Sequence, residues 1–517
     1  MFKGHPKGLI PAALSNMGER FGYYIMNAVL VLFLCSKFGL EGDKAGIIYS
    51  MFYAGIYLLS LVGGFIADKT QNYKSTIATG LVIMAAGYVI LSIPVFAEPG
   101  NNAWLLTVTC IALFLIAFGN GLFKGNLQAV VGQMYDNLEA DAAKEGPEAL
   151  RIARSKRDPG FQIFYVFINI GGLIAPFIAP MLRSSWLKTN GLVYDAALPE
   201  LCHKFINGTI GGEQMANLNE LMARAGGDLA NMQDSCMTYL KIFNEGVHFS
   251  FIASVVAMVL SLVIFMIFKK GFPTPSRKEA AAVEDYTPEE KASMAREIKQ
   301  RMAALFAVLG VSVFFWFAFH QNGMSLSLFA KDFVKTDAIP PEIWQAVNPF
   351  FVITLTPIIM AIFGALTKRG HEISTPRKIA IGMLIVACAY LFLSIFSAIK
   401  GYPSADTFKA LPVGEQEASK AGWWVLIATY FFLTVAELFI SPLGLSFVSK
   451  VAPKSMLGLC QGLWLGATAV GNLLLWIGPI LYAKLPLWQC WSVFMIVCLI
   501  SMSVMLGMVK WLERVTK

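Results

Sequence analysis

Residues 9–35 read LIPAALSNMGERFGYYIMNAVLVLFLC, an apolar run that nonetheless carries Glu19-Arg20 followed by Phe21-Gly22-Tyr23-Tyr24. A helix needs roughly 20 apolar residues to cross the hydrocarbon of a bilayer, and this run supplies them. A charged side chain at that depth costs between about 2.5 and 17 kcal/mol, depending on the reference state, so an acid and a base kept there are expected to face a polar pathway. Positions three, four and seven apart share a helical face, which groups Arg20, Tyr23, Tyr24 and Asn27 as one wall of a cavity.

The rest of the chain has the same character. With 56% hydrophobic and 14% charged residues, and a mean hydropathy of +0.61, it has more apolar surface than a soluble core of this length can hide. The sequence therefore predicts an all-α polytopic membrane protein with about twelve spans. Six lie near Leu9–Cys35, Ala45–Ala67, Thr76–Ala97, Trp104–Phe123, Phe161–Met181 and Val247–Phe268. Six more lie near Ala303–Phe329, Ile343–Leu366, Ile379–Ile399, Gly422–Val448, Met456–Tyr482 and Trp488–Trp511.

An even number of crossings puts both termini on one side. Cations including Lys3, Lys7, Lys69, Lys74, Arg151, Arg157, Lys269, Lys270, Arg277, Arg369, Arg377, Lys450, Lys454, Lys510 and Arg514 fall on that side, about twice as many as opposite. Both ends are expected in the cytoplasm, with the protein in the inner (plasma) membrane. The net charge of +8 follows from this asymmetry; cations dispersed over short loops do not form a nucleic-acid-binding patch. MFKGHPKGLIP has no small-residue cleavage site after a short apolar run, so the first span is expected to be retained.

Gly63-Gly64-Phe65-Ile66-Ala67-Asp68-Lys69 resembles the loop signature of the major facilitator superfamily, in which glycines permit close helix approach. Between the sixth and seventh spans the chain turns polar. Phe272-Pro273-Thr274-Pro275 and the helix start Thr287-Pro288-Glu289-Glu290 mark a cytoplasmic linker over 270–300. It separates an N-terminal six-helix bundle, 1–269, from a C-terminal one, 301–517, an arrangement suited to a solute site at the midplane. An outer loop, 183–246, interrupts the first bundle and is long for a connection. It holds Cys202 and Cys236, whereas the other cysteines fall in or beside spans. In an oxidising periplasm these two are expected to pair, closing a loop of about 33 residues worth about 3–4 kcal/mol in the chain-entropy model.

The chemistry is expected from polar residues inside the spans. The first half has Glu19, Arg20, Tyr23, Tyr24, Asn27, Tyr57, Lys124, Asn126 and Asn169; the second has Trp316, His320, Asn348, Glu437, Trp464 and Thr468. Lys124, in Gly119-Asn120-Gly121-Leu122-Phe123-Lys124-Gly125-Asn126, has no carboxylate within a turn and needs an anionic partner from protein or ligand. Glu437, in Val435-Ala436-Glu437-Leu438-Phe439-Ile440-Ser441-Pro442, poses the mirror problem. A cation on one bundle and an anion on the other suit a zwitterion, and a peptide is one. Plainer roles stay open: Glu19 with Arg20 as a self-neutralising pair, the aromatics as packing, Asn169 and Asn348 as interhelical contacts.

These segments resemble the proton-coupled oligopeptide transporter family, over nearly the whole chain. The first helix resembles its E-x-x-E-R-F-x-Y-Y motif, Gly119 to Asn126 its fourth-helix lysine segment, and Phe164-Tyr165-Val166-Phe167-Ile168-Asn169-Ile170-Gly171 its fifth-helix signature. Asn348-Pro349, Glu437 with Ser441-Pro442, and Ala452-Pro453 leading to Gln461-Gly462-Leu463-Trp464 continue the match. The resemblance implies a secondary transporter of short peptides working by alternating access with protons. Lys124 would face the peptide carboxylate; Glu437, Asn169 and Asn348 would hold its amino terminus. Tyr23, Tyr24, Tyr57, Trp316 and Trp464 would line the site, and Glu19 and Arg20 would serve proton coupling; Asn27, on the Arg20 face, and Thr468, among the polar residues of the spans, are counted with the lining from their positions.

The chain also departs from the family pattern. Asn16 stands for the first motif glutamate, Asn27 for an arginine, Gly125 for a proline and His320 for a seventh-helix glutamate. His320 is read as the replacement titrating group near Lys124, its ordinary pKa of about 6.5 lying close to working pH; a neutral hydrogen-bonding role competes. A facilitator, a carrier of a modified peptide or another anion, and a sensor using the outer loop are the alternatives. No H-E-x-x-H and no G-x-x-x-x-G-K-[ST] occurs, and the five histidines are scattered. Neither an enzyme, an ATP-driven pump nor a cofactor is expected.

Overall fold

A computed structural model describes residues 4–70, 72–98, 102–273, 288–336, 339–369, 373–451 and 457–515. Lys3, Arg277, Thr287, Ala452, Pro453 and Lys454 lie outside them, as do the side chains of Arg151, Arg157, Lys450 and Gln461. Among the described residues the chain is helical, its only extended pairing being a bridge between Val334 and Ala421. Eleven helices among them are long and apolar enough to cross a membrane, and Val347–Ile359 is a shorter apolar run. That run sits in the helix Val347–Lys368, where the span Ile343–Leu366 was expected.

In chain order the helices are α1 (Leu9–Phe38), α2 (Gly42–Thr70), α3 (Tyr73–Ser92), α4 (Ala103–Glu145), α5 (Pro147–Thr189), α6 (Leu198–Ile206), α7 (Gly212–Ala225), α8 (Met232–Phe268), α9 (Pro288–Phe319), α10 (Ser325–Phe333), α11 (Val347–Lys368), α12 (Thr375–Lys400), α13 (Ala405–Lys409), α14 (Val413–Ser419), α15 (Trp424–Val451), α16 (Leu457–Leu473), α17 (Ile477–Lys484) and α18 (Leu487–Val515). They form two compact units. One comprises residues 1–33, 55–194 and 240–278; the other comprises 34–54, 195–239 and 279–517.

Small residues set the packing of the first unit. A Cβ on Gly80 of α3 would lie 2.6 Å from the carbonyl oxygen of Gly119 on α4, and one on Gly119 would lie 2.5 Å from that of Gly80. Lipid tails are as apolar as leucine, so helices in a bilayer associate through such close contact rather than through hydrophobic drive. Along α1, Gly18 and Gly22 pack on Ser261, Ala257 and Ser254 of α8. The Ser254 hydroxyl donates to the Gly22 carbonyl (2.9 Å), and that of Ser261 donates to the Ser15 carbonyl (2.6 Å). This seam fixes the rotation of α1 and so the direction of Glu19 and Arg20. Gly119→Val is expected to cost about 1–3 kcal/mol or more through overpacking, whereas Gly125→Val, whose Cβ would meet nothing within 4 Å, is expected to be near neutral. Melting temperatures in detergent distinguish the two.

In the second unit two spans break. The expected span Ala303–Phe329 ends its α-helix at Phe319, passes through a tight turn over His320–Gly323 and resumes as α10. The span ending at Tyr482 breaks between α16 and α17. Unpaired backbone at membrane depth is tolerated where neighbouring protein satisfies it. Here Gln321 Nε2 donates to the Leu475 carbonyl (3.1 Å), the Ser325 hydroxyl to Gln321 Oε1 (2.6 Å), and the Tyr430 hydroxyl to the Asn322 carbonyl (3.2 Å). The first break thus satisfies a carbonyl of the second, while Tyr430 of α15 satisfies one of the first.

The interval 183–246, read from sequence as a loop, is largely helical: α5 runs to Thr189, α6 and α7 follow, and α8 begins at Met232. Within the second unit α6 and α7 pack on the 400–421 segment. Asn217 Nδ2 donates to the Leu411 carbonyl (2.9 Å), its Oδ1 accepts from the Val413 amide (3.0 Å), and Arg224 pairs with Glu417 (2.8 Å). Glu200 of α6 meets Lys204 (3.2 Å), Lys331 (3.3 Å) and Lys409 (3.1 Å). Burial alone would raise the Glu200 carboxyl, but the charges of Lys409, Lys331 and Lys204 together hold it well below the usual carboxylate range. At Gly39, φ is +66° and a Cβ would meet the His203 ring at 2.8 Å, so both backbone and space require glycine.

Candidate functional site

In the first unit α1 and α4 converge on Glu19. Arg20 donates Nε to Glu19 Oε2 (2.5 Å) and Nη2 to Oε1 (2.7 Å), and Asn120 Nδ2 from α4 donates to the same Oε1 (2.5 Å). Both charges are buried and matched in place. Neighbours in sequence point about 100° apart on a helix, so the pair closes only because both side chains are long enough to bend together. The face expected from spacing is assembled. The Arg20 guanidinium lies 4.7 Å from the centre of the Tyr23 ring, the Tyr23 hydroxyl donates to Asn27 Oδ1 (3.3 Å), and Tyr23 and Tyr24 meet edge to face at 5.4 Å.

Lys124 is held differently. Its ammonium sits 4.3 Å from the centre of the Tyr57 ring on α2, and among the described residues no carboxylate lies within ion-pair distance of it. A cation–π contact is worth about 0.5–2 kcal/mol, less than the several kcal/mol an ammonium loses on leaving water. Asn126 serves packing, donating to the Gly63 carbonyl (3.1 Å) and the Leu122 carbonyl (2.8 Å). Asn169 turns back on its own helix, donating to the Tyr165 carbonyl (3.0 Å).

In the second unit Glu437 of α15 accepts a hydrogen bond from Asn348 Nδ2 of α11 (2.9 Å), which also donates to Thr434 Oγ1 (2.9 Å). Among the described residues no cation pairs with Glu437. Trp464 is buried against Gly444, and the Thr468 hydroxyl donates to the Trp464 carbonyl (3.4 Å). At the end of α9, His320 stacks on Trp316 (ring centres 5.0 Å, 25° apart), lies 4.8 Å from the Tyr53 ring of α2, and brings Nδ1 to 2.5 Å from Asn472 Oδ1 of α16. Trp316 Nε1 and Asn472 Nδ2 are buried donors with no acceptor among the described residues.

Sequence reasoning missed Asn120, Thr434 and Asn472. Asn120 is one helical turn before Lys124, and Thr434 one turn before Glu437. Asn472 continues the four-residue step of Trp464 and Thr468, so extending each face by one turn would have found all three.

Among the described residues no His, Cys, Asp and Glu gather as metal ligands. Cys202 and Cys236 are both buried, with no bond drawn between their thiols. They are nonetheless neighbours in hydrogen-bond contact, α6 and the start of α8 having brought them together. The folded arrangement allows the expected pairing. Protein prepared without reductant is expected to protect both from alkylation, and reductant to expose both to mass-resolved labelling after unfolding.

The family model described as PTR2, POT family, matches residues 74–287 and 277–485. The chain is 28% identical over 504 residues to "Peptide transporter YePEPT" of Yersinia enterocolitica subsp. palearctica serotype O:3 (strain YE-P4), covering 91% of this chain and 87% of that protein. It is 27% identical over 483 residues to "Dipeptide and tripeptide permease B" of Edwardsiella piscicida, covering 91% and 85%. Its fold matches a crystal structure of the peptide transporter POT in complex with sulfate, with a TM-score of 0.70 and 21% identity over 100% of this chain and 96% of the other. A POT family transporter in complex with 5-aminolevulinic acid matches at a TM-score of 0.69 and 19% identity over 100% and 98%. With the apolar helices and the sequence motifs, these matches establish that the chain is a multi-pass membrane protein belonging to the POT family, the proton-coupled oligopeptide transporters.

Proposed function

We propose that this protein imports short peptides, of two or three residues or peptide-like, across the inner membrane by alternating access, with a proton gradient driving accumulation. The bodies that move are the N-terminal bundle, 1–269, and the C-terminal bundle, 301–517, joined by the 270–300 linker, with both termini in the cytoplasm. The observation that carries this reading is the pair of isolated charges. Lys124 has an aromatic face and Glu437 an amide where each lacks an opposite charge among the described residues. A dipolar cargo supplies both counter-charges at once.

Lys124 takes the peptide carboxylate. Glu437, with Asn348 and Asn169, takes the ammonium, and Tyr23, Tyr24, Asn27, Tyr57, Trp316, Trp464 and Thr468 line the peptide. Glu19, Arg20 and His320 form the proton-coupling network, with His320 as the titrating member. The names of the relatives, a peptide transporter and a dipeptide and tripeptide permease, support this cargo.

A facilitator is the second reading, favoured by one observation: Glu19 is already engaged by Arg20 and Asn120 on its oxygens. Uptake of a labelled dipeptide into proteoliposomes separates the two. An inward proton gradient is expected to drive accumulation above equilibrium, and His320→Gln to abolish that drive. Uptake that only equilibrates supports the facilitator; His320→Gln with unchanged drive and pH profile removes His320 from the coupling role; failure of any peptide to compete overturns the cargo.

A further inference from the structure

Asn472 lies outside every motif of the sequence, yet its side chain is fully buried and its Oδ1 stands 2.5 Å from His320 Nδ1. A carbonyl oxygen only accepts, so Nδ1 carries the proton in this contact, and in the neutral ring Nε2 is then the unprotonated nitrogen. Three further contacts restrict the ring. Trp316 stacks on it, Tyr53 closes at 4.8 Å, and Phe319 meets it edge to face at 5.3 Å. The amide's other end, Nδ2, has no acceptor among the described residues.

The backbone explains how the pair is held. His320 opens the tight turn that ends α9, and Asn472 precedes the break that ends α16. The two breaks are joined one residue beyond His320 by the Gln321 bond to the Leu475 carbonyl. Gly471 fits α16 against α9, since a Cβ there would lie 2.7 Å from the Val313 carbonyl oxygen and 2.8 Å from Trp316 Cβ.

We propose that Asn472 is a positioning residue for His320: it fixes the imidazole as the Nδ1–H tautomer and so makes Nε2 the atom that takes up and releases the proton. This rests on the reading of His320 as the coupling group. Asn472 touches the ring, and its effect on transport passes through it.

The test is ¹⁵N NMR of histidine-labelled protein, with the His320 signal assigned by its loss in His320→Gln, alongside proton-driven dipeptide accumulation in proteoliposomes. Wild type is expected to show neutral His320 protonated at Nδ1. Asn472→Leu is expected to lose that tautomer and to lower accumulation about tenfold or more, the worth of one hydrogen bond to an ionisable group. Asn472→Asp, which restores an acceptor, is expected to recover the Nδ1–H signal and a substantial part of the accumulation. An Nε2–H tautomer in wild type overturns the proposal even if no variant folds, and so does an Asn472→Leu protein that keeps both tautomer and accumulation. If His320→Gln itself retains proton-driven uptake, the coupling role of His320 fails first, whatever tautomer Asn472 imposes.

Discussion

Lys124→Ala is expected to reduce dipeptide uptake by about two orders of magnitude, because removing one partner of a desolvated charge pair costs about 2–5 kcal/mol. The same substitution is expected to leave the melting temperature of the empty protein unchanged or higher. Lys124 is half-buried, with the Tyr57 face but no carboxylate within ion-pair distance among the described residues, so the empty protein carries a charge whose partial desolvation is only partly compensated. A structural lysine would behave the opposite way, its loss lowering stability and activity together. Melting curves with and without dipeptide, set beside uptake rates, separate these cases. Ligand-induced stabilisation is expected to disappear in Lys124→Ala while the ligand-free melting point holds.

Glu437→Gln is the second large effect, and it isolates charge from shape. Glutamine keeps an oxygen for the Asn348 amide, which now donates at 2.9 Å, so the contact between α11 and α15 survives. What is lost is the negative charge, and with it the attraction for an ammonium. Uptake is expected to fall by about 10²-fold, on the same 2–5 kcal/mol scale, through loss of affinity for the amino end. The variant should fold and melt like wild type. Asn348→Ala offers the reverse comparison, since it removes the amide that orients the carboxylate while leaving the charge in place.

The helices were legible because a bilayer dictates them: a span must be about 20 apolar residues long, and residues 9–35 meet that condition in plain view. The isolated charges were legible for the same reason, since Lys124 and Glu437 stand out only against an apolar background. The breaks at His320–Gly323 and before Ile477 were not. Apolar residues continue through both, and what stabilises the turns, Gln321 on Leu475 and Tyr430 on Asn322, comes from positions far along the chain. Asn472 and Asn120 escaped notice likewise, because an amide acquires meaning from its partner. The helices of the outer segment were hidden for a different reason. In α7 the buried residues Leu218, Leu221, Met222 and Ala225 follow a helical period, but a stretch bounded by two spans invites reading as a connection.

Competition binding with three related compounds, Ala-Ala, its N-acetyl derivative and its C-terminal amide, tests most directly the claim that opposite charges on Lys124 and Glu437 read the two ends of one cargo. Wild type is expected to prefer free Ala-Ala over both blocked forms. Lys124→Ala should no longer distinguish the acid from the amide while still rejecting the acetylated peptide, and Glu437→Gln should show the converse loss. Equal discrimination by all three proteins, or loss of both preferences in either variant, would contradict the assignment of one end to each residue.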